Sequence, residues 1–189
     1  MIAKIAVLFP GIGYTKNHPL LYYSGKLAQQ YDYKVKALEF SGFPHKLKGN
    51  REAMMTAFQT AVGQAEEQLR FIDFSAYSEV VFISKSIGTV AASIYAAKYK
   101  VPARQLYFTP LEQTFSLIED GNGLVFFGTD DSWVNSNIVE EGCRNKQLRM
   151  KSIPGANHSL ETGDIPSDLS GMQQIMEEVD QFLQDPQQN

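Results

Sequence analysis

Apolar runs alternate with amphipathic stretches along almost the whole chain of 189 residues. Short runs rich in β-branched and aromatic residues predict strands at Lys4–Phe9, Lys34–Phe40, Val80–Ile83, Gln105–Thr109, Gly123–Gly128 and Gln147–Ile153. Between them the spacing turns helical. Arg51–Arg70 sets Met54, Met55, Phe58, Ala61, Val62, Ala65 and Leu69 on one stripe, and Met172–Leu183 repeats this with Met172, Ile175, Met176, Val179, Phe182 and Leu183. Ser170 and Gln173 fit a capping box ahead of that last helix. The methionines read as core filling.

Regular alternation of strand and helix predicts an α/β fold: a three-layer sandwich with a mostly parallel six-stranded sheet and helices on both faces. IAVLF, VVFI, LYF and LVFF are continuously apolar, as central strands buried on both faces must be. KVKALEF and LRMKSI mix polar and apolar residues, which suits edges. The strand order 2-1-3-4-5-6 follows. Its reversal between strands 1 and 3 leaves a crevice at their carboxyl ends, the usual ligand position in an open sheet. The loops that border the crevice are Pro10-Gly11-Ile12-Gly13-Tyr14 and Ser84-Lys85-Ser86-Ile87-Gly88.

Composition narrows the function classes. The net charge is -4 with no basic block, which argues against nucleic acid as a partner. Cys143 is the only cysteine, so no intramolecular disulfide forms and no zinc spacing exists; a reduced, cytoplasmic setting is expected. MIAKIAVLFPG is expected to be a first strand rather than a signal peptide, and no run is long enough to span a membrane. One domain is expected over residues 1–185, with 186–189 a frayed tail.

Candidate chemistry lies on the second of those loops. A serine lifted on a sharp strand-to-helix turn exposes its Oγ above the sheet edge. The next backbone N–H, that of Ile87, then faces the same space from a helix N-terminus, where an oxyanion would meet a donor and a positive dipole end. Such a turn needs small residues two before and two after the nucleophile, here Ser84 and Gly88 around Ser86. Lys85 is expected to turn to solvent or to a loop carbonyl; drawing in anionic substrates is the other reading.

This S-x-S-x-G stretch resembles the nucleophile elbow G-x-S-x-G of the α/β-hydrolase fold, departing from it at the first position. The resemblance spans Ile2 to Leu183 and implies the chain order serine, acid, histidine. His18 and His45 precede Ser86, which leaves His158, in the loop after the last strand, as the base. The acid is expected after the penultimate strand, where Gly128-Thr129-Asp130-Asp131 matches G-x-x-D; Asp131 is selected, with Asp130 as the alternative. Asp131 could equally cap a helix starting near Ser132. A second oxyanion donor is implied in the loop after the first strand, at Ile12, with Gly13 or Tyr14 as substitutes.

Only Pro110–Asn122 separates the two strands between which many such proteins carry a lid. The resemblance is therefore to small cap-less members, such as dienelactone-hydrolase-like proteins and small esterases. It implies a small-molecule ester or thioester substrate, no cofactor and no metal. Tyr14, His45, Leu111, Phe115, Trp133 and Leu160 are expected to border the cleft as a mainly apolar wall. Two non-enzymatic readings compete: a flavodoxin-like ligand binder gripping phosphate with the PGIGYT loop, and an inactive hydrolase scaffold used for protein interaction.

Overall fold

The computed structural model describes residues 3–118 and 121–184; the expected tail at 186–189 lies outside the described residues. Six strands, β1 (Lys4–Phe9), β2 (Tyr33–Ala37), β3 (Glu79–Lys85), β4 (Arg104–Phe108), β5 (Gly123–Gly128) and β6 (Arg149–Ile153), form one sheet in the order β2-β1-β3-β4-β5-β6. Every neighbouring pair is parallel. The helices are α1 (Pro19–Gln30), α2 (Arg51–Leu69), α3 (Ile87–Tyr99), α4 (Glu112–Phe115), α5 (Ser136–Asn145) and α6 (Ile165–Gln184).

Strand residues alternate between two cores, as the two-residue period requires. Ile5, Val7, Phe9, Phe82, Tyr107, Val125 and Phe127 pack with α2, α3 and α5 on one face. Ala6, Leu8, Val81, Ile83, Leu106, Phe108, Leu124 and Phe126 pack with α1 and α6 on the other. The four central strands are buried on both faces, whereas β6 is largely exposed or half-buried, as its mixed sequence predicts for an edge.

Several boundaries differ from the sequence expectation, each for a local reason. Strand β2 stops at Ala37 rather than Phe40. Beyond it the side-chain amide of Gln68 takes over the backbone of Glu39, accepting from its N–H at 3.0 Å and donating to its carbonyl at 2.8 Å, and Gln64 does the same for Ser41. Strand β6 begins at Arg149 because Gln147 and Leu148 still donate to the end of α5, at Arg144 O and Cys143 O. Helix α6 begins at Ile165, seven residues before the expected Met172, so Ser170 and Gln173 lie inside it and form no capping box. Its first turn is held instead by Asp164, whose carboxylate accepts from the Ser167 N–H and hydroxyl at 3.1 and 2.6 Å. On α2, Met55 is exposed and falls off the apolar stripe.

Among the described residues no helix is long and apolar enough to cross a membrane.

Candidate active site

At the carboxyl edge of the sheet, β3 turns sharply into α3 at Ser86. Its backbone sits at φ 54, ψ −122, outside the regions non-glycine residues prefer, a conformation that costs on the order of 1–3 kcal/mol. Neighbours hold it there. The Ser86 N–H donates to Phe108 O at 3.0 Å, and the Ser86 carbonyl accepts from the Thr89 N–H at 2.9 Å and the Thr89 hydroxyl at 2.6 Å. Gly88 makes the turn possible, since a Cβ there would stand 2.3 Å from Phe9 O and 2.5 Å from Pro10 O. Ser84 is fully buried, and its hydroxyl donates to Leu106 O at 3.2 Å, so the extra side chain is accommodated by a hydrogen bond.

His158, in the loop after β6, lies with Nε2 2.8 Å from the Ser86 Oγ. Its Nδ1 is 2.6 Å from Asp131 Oδ2. With Nδ1–H donating to the carboxylate, Nε2 is left to accept the serine proton. The other Asp131 oxygen accepts from the Trp133 N–H at 2.7 Å. Helix α5 starts only at Ser136 and is capped by Asn135, so Asp131 closes a turn and does not cap a helix near Ser132. Asp130 is exposed, and its N–H donates to Ala156 O at 3.0 Å. Gly128 brings this loop against the histidine loop: a Cβ there would lie 2.0 Å from Ala156 O.

Electrostatics set the protonation states. Burial pushes the His158 imidazole below the ordinary histidine value; the Asp131 hydrogen bond opposes this and the Lys85 charge adds to it. Burial alone would raise the Asp131 carboxyl, but hydrogen bonds from His158 and Trp133, with the charges of His158 and Lys85, hold it below the usual carboxylate range.

The loop after β1 passes directly beside the serine. A Cβ on Gly11 would be 3.3 Å from the Ser86 Cβ. Gly11 and Tyr14 pair across a tight turn, Gly11 N–H donating to Tyr14 O at 3.0 Å and Tyr14 N–H to Gly11 O at 3.4 Å. The Tyr14 N–H is therefore engaged. Ile87, as the first residue of α3, has no intrahelical acceptor for its N–H.

The residues expected to wall the cleft separate into groups. Trp133 is 41% exposed, with its ring centroid 5.8 Å from that of His158. It lines a cleft of ≈ 210 Å³ together with Leu111, Leu47, Met54, Val134 and Ile138. Tyr14 is half-buried; its hydroxyl accepts from the Leu20 N–H at 3.1 Å, and burial pushes its pKa to about 12. Phe115 is buried against Gly142 of α5, and Leu160 packs in the core beside α6. His45 is exposed in the loop between β2 and α2.

Of the two readings of Lys85, the loop carbonyl holds and solvent does not: the side chain is 1% exposed, and its Nζ donates to His158 O at 2.6 Å and to Thr109 Oγ1 at 2.5 Å. Sequence reasoning missed the depth of that burial and the partner Thr109, at φ 44 just after β4. The available signal was a lone charged residue closing a strand buried on both faces.

Elsewhere the chemistry is quiet. Cys143 is buried, which pushes its thiol up to about 12. Among the described residues no cluster of three or more His, Cys, Asp or Glu side chains could hold a metal ion.

No protein-family model matches the chain, and no curated protein matches it. Solved structures do. An α/β serine hydrolase homologue from Coxiella burnetii superposes with a TM-score of 0.69 at 15% identity, covering 96% of this chain and 85% of its own. An esterase from Pyrococcus furiosus gives 0.65 at 12% identity, covering 96% and 82%. A protein from Xanthomonas campestris described as an α/β serine hydrolase without lid gives 0.57 at 11% identity, covering 92% and 81%.

Proposed function

Starting from an α/β-hydrolase fold, we propose that the protein is a serine hydrolase that cleaves small or extended esters or thioesters through an acyl-enzyme on Ser86. The observation that carries this reading is the unbroken hydrogen-bonded line from the Ser86 Oγ through His158 to Asp131, built on a serine held at φ 54.

In this reading His158 Nε2 takes the Ser86 proton as the Oγ attacks the substrate carbonyl. Asp131 fixes the imidazole orientation and stabilises its cation. The tetrahedral oxyanion is met by the Ile87 N–H and by the Ile12 N–H, with Gly13 as the substitute, since the Tyr14 N–H is occupied within its own turn. His158 then protonates the leaving alcohol or thiol, the acyl group stays on Ser86, and water activated by His158 releases it. The buried relay favours this cycle because a depressed imidazole is neutral, and able to accept a proton, at neutral pH.

The cleft lined by Leu111 and Trp133 is linked to His158 through the Trp133 ring, and its Leu47, Met54, Val134 and Ile138 wall suits an acyl chain or aromatic acid, with Lys48, Glu112, Gln113 and Asn135 also lining it. The alternatives are a binding module and an inactive scaffold. A bound flavin would colour the purified protein yellow; a scaffold would leave the serine unreactive.

A panel of ester and thioester substrates of graded acyl length tests the proposal. The account expects turnover that Ser86→Ala reduces by about 10⁴-fold or more. No turnover across the panel, or turnover untouched by Ser86→Ala, would remove it.

A further inference from the structure

Lys85 is a cation at the centre of the carboxyl edge. It ends β3 one residue before Ser86, yet is 1% exposed. The ammonium donates to Thr109 Oγ1 at 2.5 Å and to His158 O at 2.6 Å, and it stands over the Tyr14 ring with Nζ 5.1 Å from the centroid. One side chain thus joins the loops after β1, β3, β4 and β6. Those loops carry the turn beside the serine, the serine itself, the threonine and the histidine. A serine hydrolase needs no lysine here, and burying one is costly unless it is fully paired.

We propose that Lys85 is a positioning residue for His158: it ties the histidine's backbone to the nucleophile strand and sets an ammonium on the histidine's own carbonyl oxygen. This rests on the serine-hydrolase reading above.

The ionisable groups that face Lys85 are Asp131, Glu161, His158 and Tyr14. Burial lowers the Lys85 ammonium to about 7, while Asp131 and Glu161 pull it upward. It is therefore cationic below neutrality, the range in which His158 gains its proton. A nearby cation disfavours the imidazolium and moves that protonation to lower pH. Tyr14, raised to about 12, stays neutral throughout and keeps its π face available.

The test is the pH profile of kcat/KM for the wild type, Lys85→Met and Lys85→Gln, on any substrate the wild type turns over. The acid limb of the wild type should fall below the ordinary histidine value of about 6.5. Both variants should move the limb upward by roughly half a unit to one unit. Lys85→Met, which leaves His158 O without its donor, should also lose about tenfold or more in kcat with KM changed less than about threefold. Lys85→Gln keeps a donor and should recover part of that kcat.

A purely structural lysine would lower thermal stability in both variants and leave the limb where it was; that result overturns the proposal. So does a wild-type limb at or above about 6.5, which needs no variant to fold. Labelling of wild-type Ser86 by a fluorophosphonate separates the two failures. An unlabelled serine removes the hydrolase reading, whereas a labelled serine with an unmoved limb removes only the role of Lys85.

Discussion

At the scale of single residues, the account turns on two adjacent aspartates with different partners. Asp131 meets His158 Nδ1 at 2.6 Å, while Asp130 is exposed and engaged through its backbone. Asp131→Asn should therefore reduce kcat about 10³- to 10⁴-fold by leaving the imidazole in the wrong tautomer, and Asp130→Asn should change it only a few-fold. Equal effects in a side-by-side assay would mean that the relay is drawn to the wrong carboxylate. Trp133 makes a second residue-scale prediction. Its ring lies beside His158 and lines the apolar cleft, so Trp133→Ala should raise KM for long acyl esters several-fold more than for acetyl esters. Identical changes across acyl lengths would place the acyl chain elsewhere.

At the scale of elements, the sharp join between β3 and α3 depends on a glycine that touches backbone. Gly88→Ala drives a Cβ to 2.3 Å from Phe9 O, a clash that rotamer change cannot relieve, and should destabilise the protein by roughly 2 kcal/mol or more. Gly63, inside α2 with open space where its Cβ would be, is the control: Gly63→Ala should stabilise by about 0.5–1 kcal/mol. Urea denaturation of the two variants checks both signs.

The elements also show where sequence was sufficient. Lys4–Phe9 and Gly123–Gly128 were legible to the residue because apolar runs ended abruptly at Pro10 and Thr129. The ends of β2 and α6 were not, because they are decided by Gln68, Gln64 and Asp164, side chains that reach the backbone of residues near or far in sequence. Ser86 is singled out by small-residue spacing on a strand-to-helix turn, whereas the candidates Asp131 and His158 follow from what the resemblance to the α/β-hydrolase fold implies. For Lys85 a loop carbonyl is one of two readings, but its burial and the identity of its acceptors could not be read, because those acceptors come from residues 24 and 73 positions away. Phe115, at the end of α4, and Leu160, in the loop after β6, were expected to face the cleft, but their side chains fill the two cores.

At the scale of the molecule, the parallel sheet brings the turns after β1, β3, β5 and β6 to one edge, and the candidate chemistry occupies that edge. The two cores share every central strand, so the chain should unfold as one unit. Trp133, the only tryptophan, reports from the edge of the site. Its fluorescence and the far-UV circular dichroism should give coincident denaturation curves, whereas an earlier fluorescence transition would show that the site edge opens separately. The central claim is that this edge holds an activated serine, and labelling with a fluorophosphonate probe followed by peptide mass mapping tests it most directly. The account predicts one adduct, on Ser86, absent from Ser86→Ala and greatly slowed in His158→Ala. An unlabelled wild type, or a Ser86→Ala protein labelled as strongly as the wild type, would contradict it.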